Sequence, residues 1–280
     1  MPGQHDLNGR TVLVTGANTG IGRVTAETLA RRGAHVWLAC RSETKTQPVL
    51  DAIRSAGGSA DFLLLDLADL DSVRAAARAF LAKNERLDVL VNNAGMAGAK
   101  GITRQGFELT FGTNHLGPFL FTNLLLPCLR ESAPARIVNV ASAAHYGAPG
   151  IDWDAMRKPT ATSTGFSEYG VSKLCNVLFT KELAHGRAGV GVHSYAVHPG
   201  AVASDVWRAV PWGARHIMKL FMLTNEQGAQ TQIFCATSRD VADHDGRYYD
   251  SCREKRPSAV AEDPELARVL WAKSEEWTAA

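Results

Sequence analysis

The chain has 280 residues, 45% hydrophobic and 21% charged, a composition that allows a sizeable buried core and argues against disorder. Thirty Lys and Arg against 28 Asp and Glu leave a formal net charge of +2, so neither a nucleic-acid nor a membrane-surface footprint is expected. The polar first ten residues and the lack of any apolar run near the roughly 18 residues of a spanning helix predict no signal peptide and no membrane anchor.

Strand-like and helix-like segments alternate along the chain. Thr11–Thr15 is a β-rich run closed by Gly16, and the next segment puts Ile21, Val24, Thr28 and Leu29 on one helical face. Residues 35–40 read as a second strand. A helix over 45–56 follows and ends at Gly57-Gly58. Residues 61–65 form a third strand. Asp69 or Asp71 then caps a helix carrying Leu70, Val73, Ala77, Phe80 and Leu81 in one stripe. Further strands are predicted at 87–91, 136–140 and 190–197, with Tyr248-Tyr249 as a short seventh. Their nearly continuous apolar character suits a parallel sheet covered on both faces. The spacing therefore predicts one α/β domain over residues 1–280, a doubly wound parallel sheet of about seven strands with helices on both faces.

Five cysteines, at 40, 128, 175, 235 and 252, lie far apart, and nine histidines scatter without ligand spacing. Reduced thiols in a cytoplasmic protein and no metal site are the expectation. Two irregular segments, 143–167 and 200–224, follow strand ends, where open α/β sheets bind ligands. The second is a candidate substrate lid, although its apolar stretch 206–222, with Trp207, Trp212 and Phe221, reads equally as internal packing or as a surface for a membrane or partner.

Between the first strand and the first helix lies Gly16-Ala-Asn-Thr-Gly-Ile-Gly22. Gly16 permits the tight turn, Gly20 lets the backbone approach a pyrophosphate, and Gly22 allows close helix–strand packing, as in a Rossmann-like dinucleotide site. Asn18, Thr19 and Ile21 share that turn, and the helix N-terminus faces the anion. The second strand ends in Cys40-Arg41 where NAD enzymes carry an acid. No carboxylate there repels a 2′-phosphate, and Arg41 can fork onto one, so NADP(H) is the expected cofactor. A solvated loop arginine is the alternative.

With these residues in place the chain resembles the short-chain dehydrogenase/reductase family. The resemblance spans nearly the whole chain. Thr15 to Gly22 matches T-G-x-x-x-G-I-G, Asn92-Asn-Ala-Gly95 the N-N-A-G after strand four, and Tyr169-Gly-Val-Ser-Lys173 the Y-x-x-x-K motif. Asn114, Ser142 and His198-Pro-Gly200 fall in the matching places, with Ser204 just beyond. Within the family the chain is similar to retinol dehydrogenase-type members, through 112–119, the glycine turn and Tyr248-Tyr-Asp-Ser-Cys252. It is expected to depart from them in carrying no N-terminal anchor, and it ends strand five Ala141-Ser142 rather than Ser-Ser.

The resemblance implies a catalytic set of Asn114, Ser142, Tyr169 and Lys173. It also implies cofactor contacts from Asp66 and Leu67 to the adenine, from Asn92, Ala94 and Gly95 along the channel, and from Pro199, Gly200, Val202 and Ser204 around the carboxamide. Tyr169 and Lys173 are further expected to contact the cofactor, Lys173 at the nicotinamide ribose. The residues themselves support a proton-transfer reading. Tyr169 and Lys173 are four apart on a predicted helix and share a face. An ammonium beside the phenol is expected to lower its pKa from about 10, which suits a general acid for a carbonyl oxygen. Ser142 would hold that oxygen, and Asn114 would order a water toward Lys173. A surface Tyr–Lys pair, a capping serine and a structural amide would read alike in isolation. So would Ser163, Ser167 and Ser172 as rivals to Ser142.

The function expected is NADP(H)-dependent hydride transfer between nicotinamide and a lipophilic aldehyde, ketone or alcohol. Reduction of a polycyclic aromatic or steroid-like ketone is the second reading, and an NADP-binding sensor or scaffold without turnover is the third. Family members often form dimers or tetramers, and no segment of this chain marks an interface.

Overall fold

The computed structural model describes residues 6–83, 86–201 and 223–279. Among these, β1 (Thr11–Thr15), α1 (Gly20–Arg31), β2 (His35–Cys40), α2 (Glu43–Ser55), β3 (Ser59–Leu64), α3 (Leu70–Leu81) and β4 (Val89–Asn92) follow in strict alternation. A single turn, α4 (Leu109–Phe111), and a π-turn over Gly112–Leu116 lead into α5 (Gly117–Glu131). Then come β5 (Ala135–Val140), α6 (Phe166–Glu182), β6 (Val192–His198), α7 (Asn225–Thr237), β7 (Arg247–Asp250), β8 (Arg253–Glu254) and α8 (Pro264–Thr278).

The sheet order is β3-β2-β1-β4-β5-β6-β7-β8. Seven strands are parallel, and β8 alone runs antiparallel, on β7. The chain reverses between β1 and β4, so β1, β4 and β5 carry their C-terminal ends to one crevice. Successive residues of β1 point to opposite faces, and both faces are packed. Leu13 joins one apolar cluster with Leu90, Ile137 and Phe119, while Val12 and Val14 join the other with Leu29, Val91 and Val138. That two-sided burial explains why these strands read as unbroken apolar runs.

The sheet of about seven strands is as expected, with β8 added as a two-residue strand beyond a turn in which Ser251 and Cys252 take positive φ. Two expectations for helix faces need correction. On α1 the fully buried residues are Gly22, Thr25, Ala26, Leu29 and Ala30, while Ile21, Val24 and Thr28 are only partly covered. The neighbour decides this. Gln232 of α7 donates to Thr25, so the packed stripe follows small residues that admit a second helix. On α3 Asp69 is the cap, its carboxylate accepting from Asp71 N at 3.0 Å, and Leu81 faces solvent. Among the described residues no helix is long and apolar enough to cross a membrane.

Candidate active site

The glycine turn is shaped by contact with the segment after β4. Gly16 has φ of +66°, and a Cβ there would stand 3.0 Å from Ala94. A Cβ on Gly22 would overlap the Gly16 carbonyl and the Asn93 amide. Only glycine leaves room for α1 to start that close to the strand ends. Asn93 locks the arrangement, its Nδ2 donating to Thr15 O at 2.8 Å. Thr15 Oγ1 in return accepts from the backbone of Asn93 and Ala94 at 3.0 and 2.9 Å.

The start of α1 differs from that of its neighbours. Ser42, Asp69, Thr224 and Asp263 cap α2, α3, α7 and α8 with their side chains. Thr19 makes no such bond at α1, and the first turn of α1 holds no acid. Its leading amides are thus left for an external anion. Asn18, Thr19, Gly20 and Ile21 line that end. Arg41 is exposed directly after β2, with no carboxylate partner among the described residues. These residues fit a dinucleotide phosphate.

The remaining sequence candidates fall into distinct places. Asp66 is half-buried after β3, its carboxylate accepting from Ala68 N at 3.0 Å, and Leu67 is buried beside it. Asn92 turns its side chain into the protein, donating to Thr122 Oγ1 and Asn139 Oδ1 at 2.9 Å each. Pro199 and Gly200 directly follow β6. Val202, Ser204 and the apolar stretch 206–222 lie outside the described residues. The chain leaves and re-enters the described structure at one point, where Leu223 N donates to Ala201 O at 2.8 Å.

Four residues from three separate segments meet beyond the ends of β4 and β5. Ser142 follows β5 and caps a 3-10 turn, its Oγ accepting from Ala144 N at 3.2 Å. Tyr169 and Lys173 share α6 as expected, and both are buried. Asn114 sits in the π-turn, where its amide brackets Met96, accepting from its N at 2.8 Å and donating to its O at 2.9 Å. A Cβ on Gly95 would lie 3.2 Å from Asn114 Oδ1 and 3.4 Å from Lys173 Nζ, so the segment after β4 runs against both.

Burial is the largest influence on the two titratable groups. Lys173 Nζ stands 5.7 Å from the centre of the Tyr169 ring and donates to Val140 O at 2.7 Å. Burial dominates and pushes the phenol up, opposed by the facing Ser142 hydroxyl, which favours the ionised form. The same burial pushes Lys173 itself down to about 7. Desolvation outweighs pairing because the charged form of either group would be held away from water. Burial thus favours the protonated phenol.

Two contributors have weak sequence signals. Ser172 is fully buried, donates to Tyr169 O at 2.8 Å and accepts from Asn114 Nδ2 at 3.0 Å, tying the π-turn to the tyrosine. Its only signal was the i, i+3 spacing on the helix. Asn93 lay inside a motif but gave no hint that it, rather than Asn92, clamps the turn. Ser163 and Ser167 are exposed.

A parallel sheet, a glycine turn at an uncapped helix and a buried Tyr–Lys pair facing a serine make a candidate site for a dinucleotide-dependent oxidoreductase. Residues 10–153 match the family model described as short chain dehydrogenase, and the chain belongs to the short-chain dehydrogenase/reductase family. More narrowly, it is a retinol dehydrogenase-type member. It is 43% identical over 277 residues to dehydrogenase/reductase SDR family member 13 of Homo sapiens, covering 96% of this chain and 73% of that protein. It is 44% identical over 271 residues to human retinol dehydrogenase 11, covering 95% and 84%. Among solved structures, an uncharacterized protein from Mycobacterium paratuberculosis superposes with a TM-score of 0.79 at 33% identity, covering 99% of this chain and 96% of that one. An NAD(P)-dependent gluconate 5-dehydrogenase from Beutenbergia cavernae, with NADP bound at low occupancy, gives 0.68 at 27% identity, covering 89% and 97%. The protein is thus an oxidoreductase of the carbonyl/alcohol class, in a family that binds NAD(P).

Proposed function

We propose that this enzyme reduces lipophilic aldehydes or ketones with NADPH, and oxidises the matching alcohols in reverse. The convergence of Ser142 and Tyr169 beside the uncapped start of α1 carries this reading. The glycine turn over 16–22, Arg41 and Lys173 would hold a dinucleotide, which would supply or accept the hydride. The chain's own residues do the rest. Ser142 Oγ holds the substrate oxygen and stabilises the charge that gathers on it. Tyr169, kept neutral by burial, gives that oxygen its proton. Lys173, anchored to Val140, fixes the floor of the site and the ribose edge. Asn114, held by Met96 and Ser172, orders the proton path toward Lys173.

Retinol dehydrogenases 11 and 12 among the relatives support retinal or a similar long apolar aldehyde as substrate. The free thiols of Cys40, Cys128, Cys175, Cys235 and Cys252 favour a reducing, cytoplasmic setting. A panel of retinal, medium-chain aldehydes, steroid ketones and aromatic ketones should give carbonyl-dependent NADPH oxidation, fastest with the long apolar aldehydes. A panel silent with both NADPH and NADH would defeat the assignment.

Arg41 is the proposed 2′-phosphate ligand. Replacing it with Ala should raise the KM for NADPH by about 10- to 100-fold, the worth of a charge-assisted contact. The KM for NADH should move by no more than about twofold, since that cofactor offers the guanidinium no phosphate. Equal losses for both cofactors would remove Arg41 from the role.

A further inference from the structure

His145 lies three residues beyond Ser142, in the 3-10 turn Ala143–Gly147, and is wholly buried. Its ring makes two hydrogen bonds of opposite sense. Nδ1 lies 2.7 Å from the Ser142 carbonyl oxygen, and Nε2 lies 3.1 Å from the backbone N–H of Ser258. A peptide N–H can only donate and a carbonyl can only accept. The ring must therefore be neutral, with its proton on Nδ1 and a lone pair on Nε2. The directions of the two bonds fix the tautomer.

What this ring connects is the point. The Ser142 carbonyl accepts a second bond, from His145 N at 3.1 Å, so the peptide that carries the serine is gripped twice. On the far side, Ser258 caps the turn Ala259–Glu262, and that turn leads into α8. Trp271 of α8 packs with Phe179 of α6, ring centres 5.8 Å apart, and α6 carries Tyr169 and Lys173. His145 thus closes a circuit between the serine's strand end and the helix of the Tyr–Lys pair. The ring is wedged between Tyr146 and Tyr248, at 4.1 and 5.0 Å between centres. Tyr146 is in turn tied to Arg256 O at 2.6 Å.

The charged and titratable groups nearby come from β6, β7 and the segment after β8: His198, Asp250 and Lys255. Lys255 pairs with Asp250 at 3.0 Å. Burial and the Lys255 charge disfavour an imidazolium at 145 and outweigh the Ser142 carbonyl, which favours it; the Ser258 N–H, which needs a lone pair on Nε2, acts with them.

We propose that His145 is the positioning residue of this site, a neutral Nδ1–H clip that holds the Ser142 peptide to Ser258 and so sets the serine hydroxyl against Tyr169. The inference rests on the reductase reading above, but half of its test does not. In 15N-histidine-labelled full-length protein, with the signal assigned by its loss in His145→Asn, the ring should show a protonated Nδ1 and an unprotonated Nε2 at pH 7. An Nε2–H tautomer or an imidazolium would overturn the clip whatever the enzyme does.

The kinetic half uses three variants. The amide nitrogen of Asn falls near the place of Nδ1, and the amide oxygen of Gln near that of Nε2. His145→Phe, which keeps the ring volume, should lower kcat for retinal reduction by about 100-fold, the cost of a reacting group misplaced by about 1 Å. NADPH affinity should stay within about twofold, because the phosphate turn is untouched. His145→Asn should recover most of kcat, while His145→Gln should recover thermal stability but not kcat. Equal losses of kcat and NADPH binding in all three variants, or an undiminished kcat in His145→Phe, would overturn the positioning role. A wild-type enzyme silent with every carbonyl would instead defeat the reductase reading, with the clip still read by the imidazole spectrum.

Discussion

Tyr169→Phe is expected to lower carbonyl-dependent NADPH oxidation by about 1,000-fold, within the range lost when a general acid is deleted. NADPH affinity, followed by cofactor fluorescence, should stay within about twofold, since the substitution removes one oxygen and leaves the ring in its packing. The reason lies in where that oxygen sits. Tyr169 is 8% exposed and faces the Ser142 hydroxyl. Burial holds the phenol above its ordinary range, so the proton is in place throughout the neutral region. Lys173, the other buried proton donor here, is committed to Val140 O. Turnover that survived in the Phe variant would move the acid to another group and break the assignment of the site.

Lys173→Met should give the opposite signs for activity and stability. Activity should fall by about 100-fold or more, because the cation that fixes the site floor and the proton path is gone. Stability should rise. The lysine titrates near 10.5 when unfolded and is pushed down to about 7 when folded. Below pH 7 both states carry the proton, and the folded state bears the full cost of a buried charge, of the order of 5 kcal/mol for a shift of this size. Between about pH 7 and 10.5 the unfolded chain holds a proton that the folded one has released, so wild-type stability climbs with pH through that window. Methionine has no charge to bury. It forfeits one hydrogen bond to Val140 O, worth about 1 kcal/mol. The variant should melt several degrees above wild type at neutral pH and converge with it toward pH 10. Melting curves that stay parallel across that range would contradict a desolvated cation at this position.

Much of the frame was readable without coordinates. β1 and β2 begin and end where the apolar runs do, because strands buried on both faces need only be apolar and β-branched. The glycine turn was legible because few residues tolerate positive φ at Gly16 or a backbone pressed against Gly22. Elements that owe their form to a partner were not legible. β8 is two residues held by its pairing to β7 and has no periodicity to detect. The covered face of α1 depends on α7, more than 200 residues further on, and so departs from the most apolar stripe.

The same division runs through the site. Local sequence determined that a phosphate turn follows β1, that a tyrosine and a lysine share one helical face, and that a serine ends β5, since each follows from dihedral freedom and helical period alone. Tertiary structure decided that the ammonium bonds to a β5 carbonyl, that Ser172 ties Asn114 to Tyr169, and that His145 joins the serine to a segment 113 residues away. Those choices depend on how much water each group loses and which distant backbone atom it meets, and neither quantity exists until the chain has closed on itself.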